Sequence, residues 1–539
     1  MMHMPHRSLG AESLVTDGRV RLALYVLISV VALIPLAIVN IPPLVDYPNH
    51  LARLYVIANI GTDTDLAANY GISWGVMPNL ALEAATLPLT GLLPVELLGR
   101  LFIALTFALL AGGTLWLHRL LHGSIGLWPA TAWLFLYNHL LIMGFLGYLF
   151  TLGAALVLFA AWIASERWPA WLRLTLFSLA AFALFFGHLF ALAIYGICVA
   201  AWEFQKGLPM LRTDWRRAAR QWAIGAWQFV PVGLLILATM PQAGERGFYY
   251  GPFLAKVRAL WSPVLAWYKP IDAALILFVL GVLAAGLATR RLTLAPALRL
   301  PVAVLAVLAA AMPFWLEGAW GSIWYADLRL PLALALLLVA GLRPRAVSPK
   351  VALAVGCAAA VLFTARIADV AIDWRAVDRD YGEFRAALGR IEPGASLLPV
   401  QRRNAALDGG TRQFDEAYWH MPVLAVIDRS AFVPTLFTDP TKQPVHAAAA
   451  RTAIDTPYGW PIEYALLAGG ANSDRRGLVS PPRTGASVQR FWTGWPERYD
   501  YVLVTHFGIR GNPAPDHLAP VHEGSFFDLY RVVTQPDGP

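Results

Sequence analysis

From Arg21 to about Ala365 the chain carries one apolar stretch after another, each long enough to cross a hydrocarbon core of about 30 Å, and then the stretches stop. Lipid offers no hydrogen-bond partner to a peptide group, so such stretches must fold as helices. Of 539 residues, 58% are hydrophobic and 14% charged, with mean hydropathy +0.55. A soluble chain carries about 25% charged residues. The expected fold is a polytopic α-helical membrane protein, residues 1–370, followed by a soluble α/β domain, residues 371–539.

Spans are expected at about 21–39, 95–118, 127–142, 145–163, 222–240, 272–289, 299–316, 328–342 and 350–367. The stretch 171–204 is too long for one helix and reads as two spans meeting at Gly187-His188, which makes about eleven in all. Met1 to Arg21 is polar and mildly basic, and no small-residue cleavage site follows, so the first span is read as retained. Arg7, Arg19, Arg21, the loop KGLPMLRTDWRRAARQ, Arg290, Arg291, Arg343, Arg345 and Lys350 then fall on the cytoplasmic side. An odd number of spans exports the C-terminal domain. The expected location is a bacterial cytoplasmic membrane with a cytoplasmic N-terminus.

The net charge of +8 and pI of 9.5 are accounted for by these loops, so nucleic acid is not expected as a partner. Cys198 and Cys357 both lie in apolar spans, which leaves no disulfide framework and no thiolate metal site. The tail from Asp373 alternates an amphipathic helix, YGEFRAALGRI, with short strands, ASLLPV, YDYVLVTHFG and FFDLYRVV. Its segment 470–490, with GGANSDRRG and SPPRTG, reads as a mobile loop.

Ionisable groups at membrane depth are costly, so their accumulation at one level marks a functional site. On this topology Asp46, His50, Arg53, Glu83, Asn138, His139, His188, Glu317, Asp327 and Arg329 gather at the outer side. In PPLVDYPNHLARLYVI two prolines end the first span, Asp46 follows, and a helix begins in which His50 and Arg53 share a face. Asp46 there is a general base or a helix cap, with Arg53 its partner or a partner of lipid phosphate. Asn138 and His139 either bind a sugar or cap a tight turn, and His188 is a ligand group or an interhelical hydrogen-bonder. The guanidinium of Arg329 suits a phosphate. Lys256 and Arg258, in the aromatic loop FYYGPFLAKVRALWSPVLAWYKP, line a lipid-substrate groove or serve as snorkelling anchors. No GxxxxGK[ST], HExxH or GxSxG occurs, which removes the usual signatures of ATP-driven transport, zincin proteolysis and serine hydrolysis.

With these residues in place the chain resembles the GT-C superfamily of integral-membrane glycosyltransferases, whose catalytic carboxylate follows the first span. VDYPNHLAR sets Asp46 at that position, GRLFIAL resembles the start of the family's second span, and GFLGYLFTLG and GHLFALAIYG resemble segments of predicted bacterial members. The resemblance implies a polyprenyl-phosphate sugar donor, a glycan, lipid or protein acceptor, work on the cell envelope, and no metal or other cofactor. A second acid of the family pattern would be Asp63, Asp65 or Glu83. Asp46 would be catalytic, with His50, Arg53, Glu83, Asn138, His139, His188, Lys256, Arg258, Asp327 and Arg329 around the substrates. A flippase of lipid-linked saccharides and a noncatalytic envelope-assembly scaffold are the rival readings. The spans show no polar midplane site of the kind a transporter needs.

Overall fold

A computed structural model describes residues 18–240, 247–267, 269–318, 321–402, 413–440, 442–456, 461–468 and 491–533. Arg7 and the loop 470–490 lie outside the described residues. Among those described, seven helices are long and apolar enough to cross a membrane, or eight if the bent pair Trp215–Trp227 and Val230–Thr239 counts as one span. The protein is a polytopic helical membrane protein.

Several expected spans are shorter than that. The stretch 127–142 forms the 3-10 helix Trp128–Phe135 and the single turn His139–Ile142, interrupted where Asn138 takes an extended backbone. Arg299–Ala311 has 13 residues and Ala326–Gly341 has 16. At 1.5 Å per residue even the longer reaches only about 24 Å. The hairpin at Gly187-His188 does form, between Ala170–Gly187 and Leu189–Gly207. A break expected after 367 is absent, because nothing between Pro349 and Leu388 stops a helix and the chain runs on for 40 residues.

By packing the chain divides into two compact units, Met1–Ile38 with Ile103–Ile372, and Val39–Phe102 with Asp373–Pro539. One cut falls between Ile372 and Asp373. Val39–Phe102, expected with the membrane helices, belongs instead to the C-terminal unit.

In the first unit, glycines set how closely two helices approach. A Cβ on Gly153 would stand 2.7 Å from Leu109 Cβ and 2.9 Å from the Leu110 nitrogen, and one on Gly113 would stand 2.9 Å from Leu156 Cβ. Helices in lipid associate through such small-residue contacts. The short helix Ala326–Gly341 ends in three carbonyls that accept from side chains: Trp128 Nε1 donates to Val339, His118 Nδ1 to Ala340 and His122 Nε2 to Gly341, at 3.1, 3.0 and 3.1 Å. Its C-terminus is thereby satisfied without water.

The second unit holds a five-stranded sheet in the order Leu518–Glu523, Phe527–Val532, Tyr501–Thr505, Leu397–Gln401, Ile462–Glu463. The first two pairings are antiparallel and the last two parallel. Leu397–Gln401 and Tyr501–Thr505 are buried throughout, which is why LLPV and YVLV read as continuous apolar runs rather than alternating ones. A smaller antiparallel pair joins Tyr70–Ile72 to Val445–Ala447. There Gly71 faces the His446 ring so closely that a Cβ would overlap it.

Gly153→Leu should lower stability by about 1–3 kcal/mol through overpacking. Gly112→Ala, whose added carbon meets open space, should stay within about 0.5 kcal/mol. Thermal unfolding of the two variants in detergent measures the difference.

Candidate functional site

The helix Tyr47–Asn59 starts where proline allows it, with Pro48 in its first turn and Asp46 at the capping position. Asp46, Asn49, His50 and Arg53 follow at i, i+3, i+4 and i+7, one stripe along one face. Asn49, His50 and Arg53 are buried. A buried polar stripe on a helix must find partners from elsewhere in the chain.

Arg53 finds three. Its Nε donates to Glu83 Oε1 at 2.5 Å, one terminal nitrogen donates to Gln443 Oε1, and the other lies 3.2 Å from His50 Nδ1. The side chains of Arg53 and Glu83 are 2% and 1% exposed. Asn49 Oδ1 accepts from the Phe437 amide at 2.9 Å. The Phe437 ring meets His420 edge to face at 5.0 Å, and His420 Nε2 lies 3.5 Å from Asp46 Oδ1. Asp46 accepts no capping hydrogen bond on its side chain, which is 20% exposed, whereas that of His420 is 1% exposed.

Burial lowers the His420 pKa from 6.5 to about 3, so the imidazole beside Asp46 is neutral. Glu83 Oε2, Asn49 Nδ2 and His420 Nδ1 are buried without a hydrogen-bond partner among the described residues. The polar face of this helix thus carries, among the described residues, an unpartnered acceptor beside Arg53 and an unpartnered donor at Asn49, and an unpartnered imidazole nitrogen belongs to the His420 ring beside Asp46. That set matches hydroxyl groups, which both donate and accept. It suits an anion poorly, since Arg53 already spends two of its nitrogens on Glu83 and Gln443.

The remaining expected residues fall into different surroundings in the first unit. Asn138 is a cap: Oδ1 accepts from Leu141 N at 3.0 Å, and Nδ2 donates to the Phe135 and Leu136 carbonyls at 2.7 and 3.2 Å. With both ends of its amide occupied, the turn explains this residue better than a sugar does. His139 Nδ1 donates to the Ala266 carbonyl at 3.2 Å. Lys256 donates to the Met312 carbonyl at 2.6 Å, and Arg258 is exposed on the helix Phe253–Leu260. Asp327 is buried, with Oδ1 unpartnered among the described residues. His188 and Arg329 meet, Nε2 to a guanidinium nitrogen at 3.0 Å, while His188 Nδ1 accepts from Phe190 N at 3.1 Å and caps the following helix. Phe145, Tyr148 and Phe190 stand around that guanidinium at 4.8, 5.4 and 5.7 Å. Glu317 lies in the strand Trp315–Gly318.

Of the second-acid candidates, Asp63 caps Thr64–Asn69 and also accepts from Ser430 Oγ at 2.6 Å, which accounts for it structurally. Glu83 is the one tied to the Asp46 helix. Asn49 was visible in the stripe but carries no charge to draw notice. His420 and Gln443 had no local signal, because Gln443 reaches Arg53 across 390 residues of sequence. Among the described residues no group of three or more His, Cys, Asp or Glu is placed to hold a metal ion. Comparison with protein-family models, with curated proteins and with solved structures gives no match.

Two outcomes follow from these contacts. Arg53→Met strands a buried carboxylate and should cost about 3–5 kcal/mol, while the double replacement Arg53→Met with Glu83→Leu should recover most of it, read by denaturant unfolding. Between pH 6.5 and about 3 the unfolded chain binds a proton at position 420 that the folded chain does not. Stability should fall as pH is lowered through that window, and His420→Phe should flatten the dependence of the thermal midpoint on pH.

Proposed function

We propose that this protein is a membrane glycosyltransferase that moves a sugar from a polyprenyl-phosphate-linked donor to a hydroxyl of a glycan, lipid or protein acceptor, with Asp46 as general base. The observation that carries the reading is the state of Asp46. It occupies a capping position without capping, stays part-exposed, and has a buried neutral histidine beside it. A part-exposed carboxylate that makes no helix cap and has a neutral imidazole beside it is placed to take a proton from a hydroxyl.

In the proposed reaction the acceptor oxygen attacks the anomeric carbon, its proton passes to Asp46, and the polyprenyl phosphate leaves with the bonding electrons, inverting the centre. Within the first unit taken by itself, the Arg329 guanidinium, with three aromatic rings around it, has the chemistry to bind a phosphate oxygen. The reading needs no metal. A cytoplasmic N-terminus, an extracytoplasmic C-terminal unit and a bacterial cytoplasmic membrane belong to the same proposal, supported by the basic loop carrying Arg216, Arg217 and Arg220. Among the described residues seven or eight helices have the length and apolar composition to cross, and the count of about eleven spans stays part of the proposal.

The test is transfer of labelled sugar from a polyprenyl-phosphate donor by the purified protein in detergent. Asp46→Asn should lower turnover about 10²- to 10⁴-fold, with donor binding retained. Equal turnover in both proteins would remove Asp46 from the chemistry. No turnover by either, across a panel of donors and acceptors, would favour lipid-linked saccharide transport or a scaffold.

A further inference from the structure

We infer that the helix Trp215–Trp227 is a docking surface for acidic phospholipid, whose headgroup phosphates are held by Arg216, Arg217 and Arg220. The assignment is independent of the glycosyltransferase reading.

One face of this helix is committed to the protein. Ala218, Gln221, Trp222 and Gly225 recur at i, i+3, i+4 and i+7 and turn inward. Gln221 Nε2 donates to Glu203 Oε2 at 2.7 Å, Trp222 Nε1 donates to the Glu203 carbonyl at 2.9 Å, and the Trp222 ring stacks on Phe204 at 5.3 Å. Two glycines make room: a Cβ on Gly207 would overlap the Trp222 ring, and one on Gly225 would stand 2.9 Å from Glu203 Cγ. That contact fixes the rotation of the helix, and with it what faces out.

The outward stripe is Arg216, Arg220, Ala223 and Trp227, at i, i+4, i+7 and i+11, with Arg217 beside it, and all five are exposed. It changes character along its length, with guanidinium first and indole last. After a bend of 47° the chain continues as the apolar helix Val230–Thr239, where Leu234 and Leu237 are 62% and 72% exposed. Leucines so exposed in a membrane protein lie in hydrocarbon, which sets the arginines that precede them at headgroup depth. Exposed tryptophans mark the same level: Trp215 on the helix itself, and Trp168 and Trp171 beside the turn Ser165–Arg167, which the Lys206–Glu166 ion pair ties to this loop.

The positive charge there is uncompensated. From Arg212 to Arg220 the chain has four arginines and one acid, and Asp214 accepts from the Arg217 amide at 3.0 Å as the helix cap. Among the described residues no carboxylate pairs with Arg212, Arg216, Arg217 or Arg220. A guanidinium offers a phosphate two parallel donors. The bilayer surface begins within this same helix, so lipid phosphates are the anions at hand. Zwitterionic lipid carries its phosphate together with an ammonium that answers it, and acidic lipid does not, which makes acidic lipid the better match to bare arginines.

The test adds dioleoyl phosphatidylglycerol, and separately dioleoyl phosphatidylcholine, to the full-length protein in detergent and reads the first bound lipid by native mass spectrometry. The unaltered protein should bind phosphatidylglycerol more tightly. Arg216→Gln, Arg217→Gln and Arg220→Gln should each weaken that binding by about fivefold and leave phosphatidylcholine unmoved. Each changes one exposed side chain and leaves the Gln221 and Trp222 contacts in place, so should one not fold the other two decide. The control is Arg291→Gln with Arg343→Gln, exposed arginines at the strand pair Leu292–Leu294 and Leu342–Pro344, which should leave phosphatidylglycerol binding unchanged. Ammonium phosphate in excess should not displace the lipid. Equal affinity for the two lipids, or an equal loss in the control, overturns the assignment, and displacement by phosphate overturns it in favour of a free-anion site.

Discussion

A guanidinium withdrawn from water needs its charge matched and its nitrogens occupied, and Arg53 meets both needs with groups far away in the sequence. Glu83 supplies the charge from 30 residues on, and Gln443 supplies an acceptor from 390 residues on. Desolvating two such ions costs several kcal/mol each, so the pair persists only where good geometry and further hydrogen bonds offset that cost. Here they do, through His50 and Gln443. This requirement explains a division of the chain that hydropathy does not show. Val39–Phe102 folds with the C-terminal unit because its buried charge is satisfied there.

The helical membrane architecture was legible because lipid leaves one solution for a long apolar stretch, and the paired helices about Gly187-His188 came with it. The span count was not. Apolar composition alone cannot tell a 16-residue helix capped by Trp128, His118 and His122 from one that reaches across. The continuous helix Pro349–Leu388 changes in hydropathy partway, although no proline interrupts it after its first residue. The strands of the C-terminal sheet were readable, since central parallel strands need apolar side chains on both faces.

At the candidate site, the stripe of Asp46, His50 and Arg53 could be placed from spacing, but the direction of its contacts could not. Arg53 looked like a counter-ion for Asp46 or for phosphate and is instead bound to Glu83. Asn138 looked like a ligand group and is a cap, a choice that depended on whether the turn at 138 kept its own amide busy. His420 lies in a stretch with no periodic pattern, and only folding brings it to Asp46.

Because Asp46, Asn49, His50 and Arg53 all hang from one face of one helix, they cannot be adjusted independently. A slip of that helix by one residue would turn the face by about 100° and remove all four from their partners at once. The site therefore exists as a whole or not at all. Substitutions on the opposite, apolar face, such as at Leu51, can reach its chemistry by tilting the helix without touching a polar atom.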